Sequence, residues 1–109
     1  MTIKLPKGIE AYFDADREGS PEAVAAAFTE NGSVKDKGKT HRGRDAIRQW
    51  MANESTQYTY TVEPFLIATE SGKTQVTAHA VGTFPGSPID LRFLFVLVDD
   101  KVAELEITV

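Results

Sequence analysis

The segment Ile89–Val98 constrains the fold of this chain more than any other. Leu91, Phe93, Phe95 and Leu97 alternate with Leu94, Val96 and Val98, so as a strand it is apolar on both faces. Such a strand belongs inside a sheet with both faces covered. Its neighbours also read with a period of two. Tyr58, Tyr60 and Val62 alternate with Thr59, Thr61 and Glu63. A turn at Ser71-Gly72-Lys73 leads into a strand over Thr74–Phe84, and Pro85-Gly86-Ser87-Pro88 is a second turn. Asp99-Asp100 then turns the apolar strand into Val102–Val109. Three successive hairpins make a mostly antiparallel meander. Pro64 marks a bulge, a bend or an edge position, because proline donates nothing to a ladder.

The first half has a helical period. Pro6 suits a first turn, and Leu5, Ile9, Tyr12, Phe13 and Asp16 follow helical spacing up to a stop at Gly19. Ser20 and Pro21 serve as N-cap and first residue of a second helix. Its apolar face is Val24, Ala27 and Phe28, and Asn31-Gly32 ends it. A short strand over Ser33–Lys37 puts Val34 and Asp36 on one face and Lys35 and Lys37 on the other, until Gly38 breaks it. Gly43 precedes a third helix in which Ile47, Trp50 and Met51 share a face. Helices first and strands later define an α+β class rather than a βαβ sheet. The length, 109 residues, fits a single domain over 1–109. Helices on one side would leave Leu94, Val96 and Val98 wet on the other, so a homodimer is expected to cover them.

Composition removes several kinds of function. A net charge of -4 gives no general attraction for nucleic acid. The loose cluster Lys35, Lys37, Lys39, Arg42 and Arg44 reads as a solvated face. Without cysteine there is no disulfide framework and no thiolate nucleophile. No apolar run is long enough to cross a membrane and no signal-peptide pattern is present, so no membrane partner is expected and the cytoplasm is the default location. For the same reason the sequons Asn31-Gly32-Ser33 and Asn53-Glu54-Ser55 read as chance matches. Two histidines without close spacing make no catalytic metal site. No serine occupies a nucleophile elbow. Gly38-Lys39-Thr40 and Gly72-Lys73-Thr74 lack the earlier glycine of a phosphate loop.

Three stretches carry a family resemblance: Ala25-Ala26-Ala27-Phe28-Thr29-Glu30-Asn31-Gly32-Ser33-Val34, then His41-Arg42-Gly43-Arg44-Asp45-Ala46-Ile47-Arg48-Gln49-Trp50, and Gly82-Thr83-Phe84-Pro85-Gly86-Ser87-Pro88 with Asp100-Lys101-Val102. With the order of elements, they resemble the nuclear transport factor 2-like superfamily over nearly the whole chain. The resemblance implies a cone-shaped, curved sheet packed on about three N-terminal helices, a cystatin-like arrangement. That superfamily holds both enzymes and non-catalytic binders, so fold alone does not give function.

Ketosteroid isomerases and SnoaL-type polyketide cyclases are the nearest functional comparison. By that resemblance Tyr12 is a hydroxyl donor to an oxyanion, Asp36 a general base, and Asp90 a protonated acid. Counted back from Asp100-Lys101, Arg92 takes the third position instead. Both share a face, so parity does not choose between them. From the residues themselves, Asp36 follows Val34 inward, and a carboxylate in an apolar pocket suits general-base chemistry. Its bland reading is a buried acid hydrogen-bonded to His41 or to a backbone amide. Tyr12 reads equally as a core aromatic. Trp50, His41, Arg92 and Phe28 are candidate ligand-binding residues, and His79 reads as a histidine at a dimer surface or satisfied within the sheet. The expected ligand is a hydrophobic small molecule, and the proton-transfer chemistry needs no cofactor. The alternative is a non-catalytic dimeric binding or interaction module.

Overall fold

A computed structural model describes residues 3–109. The elements are α1 (Lys7–Glu18), α2 (Pro21–Ala26), β1 (Phe28–Asp36), β2 (Lys39–Arg42), α3 (Arg44–Gln57), β3 (Tyr60–Glu70), β4 (Lys73–Gly82), β5 (Ile89–Val98) and β6 (Lys101–Thr108). The strands form one sheet in the order β2-β1-β6-β5-β4-β3. Every neighbouring pair is antiparallel except β1 with β6, which is parallel. The three helices cover the inner face of this sheet, as the α+β reading requires.

Local chemistry sets the joints. Gly19 closes α1 in the left-handed region at φ 68°, and Ser20 Oγ accepts from the Ala23 amide at 3.2 Å to cap α2. Lys37-Gly38, Ser71-Gly72 and Asp99-Asp100 each place two positive-φ residues in a two-residue hairpin turn, the geometry that follows the natural strand twist. Pro64 sits at a bulge on β3, which is also the sheet edge. Gly8 lies so close to the β5–β6 turn that a Cβ there would come 2.6 Å from the Asp100 carbonyl oxygen.

Four features differ from the sequence reading. The second helix stops at Ala26, and Phe28 opens β1 instead of extending that helix. The cause is a distant partner: the Val102 amide donates to the Ala27 carbonyl at 2.9 Å, and Phe28 pairs with Val102 of β6. The short strand expected at Ser33–Lys37 therefore begins five residues earlier, with an irregularity between Phe28 and Ser33. The segment around His41, given no strand in the sequence reading, forms β2, paired with β1 so that His41 lies opposite Val34. Finally, β4 ends at Gly82 and not Phe84, because the Gly82 amide turns away to Ser87 Oγ at 2.8 Å.

The core lies between the helices and the inner sheet face. Tyr12 of α1 is its centre, edge-on to Phe13 at 5.1 Å, Phe95 at 5.7 Å and Phe28 at 6.1 Å between ring centroids. Such edge-to-face geometry suits the charge distribution of aromatic rings. Val34, Val76, Val102 and Leu105 from the sheet and Ile9, Val24, Ile47 and Met51 from the helices complete it. Each fully buried side chain of this size contributes about 1.5–3 kcal/mol. The outer face alternates with this one. It carries Leu94, Val96 and Val98 of β5, Thr77, His79 and Val81 of β4, and Leu66 of β3.

Candidate functional site

Near one end of the sheet the inner face changes from large to small side chains. Ala78 and Ala80 of β4 stand opposite Leu91 and Ile89 of β5, and the space they leave is not filled by the helices. A cavity of about 670 Å³ results. Its apolar wall includes Met51, Val62, Ala80, Ile89, Leu91, Phe93 and Ile107. Phe84 and Pro85, from the loop before β5, also border it. Its polar lining comes from five elements and one turn: Tyr12 and Asp16 from α1, Lys35 and Asp36 from β1, Lys37 from the turn after it, Trp50 and Glu54 from α3, Tyr60 from β3 with Tyr58 just ahead of that strand, and Glu106 and Thr108 from β6.

Tyr12, Asp36 and Trp50 are thus brought together. Trp50 Nε1 donates to Asp36 Oδ2 at 3.2 Å, which fixes one carboxylate oxygen. The sequence reading offered His41 or a backbone amide as that partner. His41 instead sits half-buried on β2, its ring 6.1 Å from the Trp50 ring, and makes no hydrogen bond to Asp36 among the described residues. Tyr12 is 2% exposed and its hydroxyl has no hydrogen-bonding partner among the described residues, yet none of their fully buried polar side-chain atoms is unsatisfied. Its hydroxyl therefore opens onto the cavity. Burial first, and the negative charge of Asp16 second, push the Tyr12 phenol well above its usual proton affinity. It stays protonated and able to donate.

Asp90 and Arg92 do not join the site. Both alternate to the outer face of β5, where Asp90 Oδ1 lies 2.8 Å from His79 Nδ1 on β4. The parity argument rightly put them on one face, but it is the face away from the helices. Phe28 is also elsewhere, wholly inside the core against Tyr12.

The third polar position inside is held by Asp16, which the sequence reading used only as a helical residue. It follows Tyr12 by four residues, so both occupy one face of α1. Tyr60 Oη donates to Asp16 Oδ1 at 2.9 Å and lies 3.7 Å from Met51 Sδ. Burial raises the proton affinity of Asp16, while the Tyr60 hydrogen bond and the charge of Arg17 pull it back. At the mouth, Lys37 Nζ sits 3.3 Å from Glu54 Oε1 and 5.3 Å from the centre of the Tyr58 ring. No group of histidine, cysteine or acidic side chains is arranged to hold a metal among the described residues, and no described helix is long and apolar enough to cross a membrane.

A curved six-stranded sheet closed by three helices over an inner cavity is the architecture of nuclear transport factor 2-like proteins. A protein from Catenulispora acidiphila with a ketosteroid isomerase-like fold, solved in complex with trimethylamine, superposes with a TM-score of 0.85 at 18% identity, over 97% of this chain and 87% of that one. The SnoaL-like domain profile matches residues 9–105, and the chain belongs to that family. A protein from Sinorhizobium meliloti, provisionally named a polyketide cyclase, is 35% identical over 95% of each chain with a TM-score of 0.90. SalBIII, an epoxide hydrolase/cyclase-like enzyme with a role in pyran ring formation in the polyether salinomycin, is 25% identical over 92% of this chain and 85% of that one, with a TM-score of 0.77. No functionally curated protein matches the sequence.

Proposed function

We propose that the protein is an acid–base enzyme of the isomerase or cyclase kind, acting on a largely apolar small molecule inside the cavity. Asp36 takes a proton from a carbon next to a carbonyl, and Tyr12 donates its hydroxyl to the enolate oxygen that forms. The observation that carries this reading is the convergence of Tyr12 and a Trp50-anchored Asp36 on one apolar cavity of about 670 Å³. That volume is in the range of small-molecule sites and too large for an interaction module filled by its own side chains. The provisional name of the Sinorhizobium protein and the ring-forming role of SalBIII support chemistry of this class.

The test is exchange of ketone α-protons for deuterium, followed by NMR, with a β,γ-unsaturated ketosteroid and an aryl β-diketone as probes. The wild-type chain accelerates exchange in at least one of them, and Asp36→Asn lowers that acceleration at least about a hundredfold. An Asp36→Asn variant as fast as wild type removes Asp36 from the reaction.

We also propose that the protein is a homodimer through its outer sheet face. Phe65, Leu66, Val81 and Val98 are exposed there or at its margin, and His79, Asp90 and Arg92 supply both signs of charge to one patch. Such a patch can meet its own copy across a two-fold axis. A cysteine-free chain is also suited to the cytoplasm, where we place it.

A further inference from the structure

The charges around the cavity do not balance. Glu54 has its counter-ion in Lys37, which also lies over the Tyr58 ring. Lys35 and Glu106 also border the cavity, but they face each other in register on adjacent strands, one charge of each sign. That leaves Asp16 and Asp36, whose partners are neutral: the Tyr60 hydroxyl and the Trp50 indole N–H. Neither carboxylate has a cation within 4.0 Å among the described residues. Two carboxylates in an apolar hollow carry a desolvation cost that hydrogen bonds to neutral groups offset only in part. The upward pull of burial on Asp16 is the same cost seen through its proton.

A second observation points to a ligand. Tyr12, almost wholly buried, has no hydrogen-bonding partner for its hydroxyl among the described residues and leaves it open to this hollow. Around them stand Trp50, Tyr58 and Tyr60. Aromatic faces with nearby carboxylates stabilise a weakly hydrated organic cation. The mouth already holds one ammonium in this way, that of Lys37.

We infer that the cavity selects a ligand with a positively charged amine head on an apolar body, the head lying among Asp16, Asp36 and the surrounding aromatic rings and the body against Ile89, Leu91 and Phe93. The inference rests on the reading of this cavity as a ligand site but not on the reaction carried out there. The cation supplies the charge that the protein omits, and the unpartnered Tyr12 hydroxyl meets a polar atom of the ligand.

Two probes of matched shape test it by isothermal titration calorimetry at neutral pH and low salt: meta-hydroxyphenyltrimethylammonium and the uncharged meta-tert-butylphenol. The cation binds at least about tenfold tighter. The preference shrinks in Asp16→Asn and in Asp36→Asn, and falls to near parity in the double variant. Asp45→Asn, which removes a fully exposed carboxylate elsewhere, leaves it unchanged. Equal or tighter binding of the neutral probe overturns the inference, as does failure of the cationic probe to bind at millimolar concentration. A preference that survives in the double variant overturns it too. The wild-type comparison alone decides the point if a variant fails to fold. Because the readout is binding, this result and the Asp36-dependent proton exchange can fail independently.

Discussion

Trp50 Nε1 donates to Asp36 Oδ2 at 3.2 Å, so a residue of α3 holds the carboxylate of β1 against the cavity. Trp50→Phe keeps an aromatic ring and deletes the donor. It is expected to cost about 1–3 kcal/mol in stability and to slow α-proton exchange about ten- to a hundredfold through lost orientation. In an Asp36→Asn background the same change has no further effect on exchange, since the group it orients is gone. Exchange rates of the two single variants and the double variant check this; additive losses would show that Trp50 does not act through Asp36.

The buried setting of Asp16 makes stability depend on pH with a definite sign. Its proton is held more tightly in the folded chain than at the ordinary value of 3.8. Between those two values the folded state binds more protons than the unfolded one, so stability falls as pH rises through the folded value and then levels off. Asp16→Asn removes this decline while keeping an oxygen for the Tyr60 hydroxyl. The variant is therefore expected to be more stable than wild type near neutral pH, with the advantage disappearing toward pH 3.8. Tyr60→Phe, which deletes the hydrogen bond that lowers the proton affinity, moves the decline to higher pH. Urea unfolding across this range measures both.

Gly8 sets two effects against each other. Alanine in a helix is favoured over glycine by about 1 kcal/mol, which argues for a gain on Gly8→Ala. The Asp100 carbonyl lies 2.6 Å from where the new Cβ would stand, and it is backbone. Overpacking of that kind costs about 1–3 kcal/mol, so a net loss is expected. A denaturant midpoint above that of wild type would show that the β5–β6 turn gives way.

For the outer face, Leu94→Glu places a charge between Gln75 of β4 and Glu106 of β6 without touching the cavity. Light scattering at micromolar concentration should give twice the chain mass for the wild-type protein and a shift toward the chain mass for the variant. A wild-type protein that is monomeric at that concentration removes the homodimer.

The sheet was legible because its signals are local. Ile89–Val98 is the strand with the bounds expected from alternation, and Pro64 marks a bulge on an edge strand. The placement of Asp36 followed from Val34 two residues before it. What stayed hidden depends on partners far along the chain. Phe28 leaves its helix because Val102 pairs with it. The side of the sheet faced by Asp90 and Arg92 is set by where the helices dock, which alternation does not tell. Asp16 was closest to legible: a polar residue continuing the apolar stripe of Tyr12 at helical spacing is a signal for a carboxylate turned inward.

The parallel pairing of β1 with β6 has a consequence for how the cavity comes into being. The strand bearing Asp36 joins the rest of the sheet only through β6, the last strand in the chain. Until β1 pairs with the free edge of β6, the hairpin of β1 and β2 has no attachment to the meander, and one wall is missing. Closing contacts between segments so distant in sequence is slow relative to forming hairpins. The meander can therefore assemble first, leaving Phe93 and Leu91 uncovered on a half-built sheet. The time between those two events is when the chain is most exposed to aggregation.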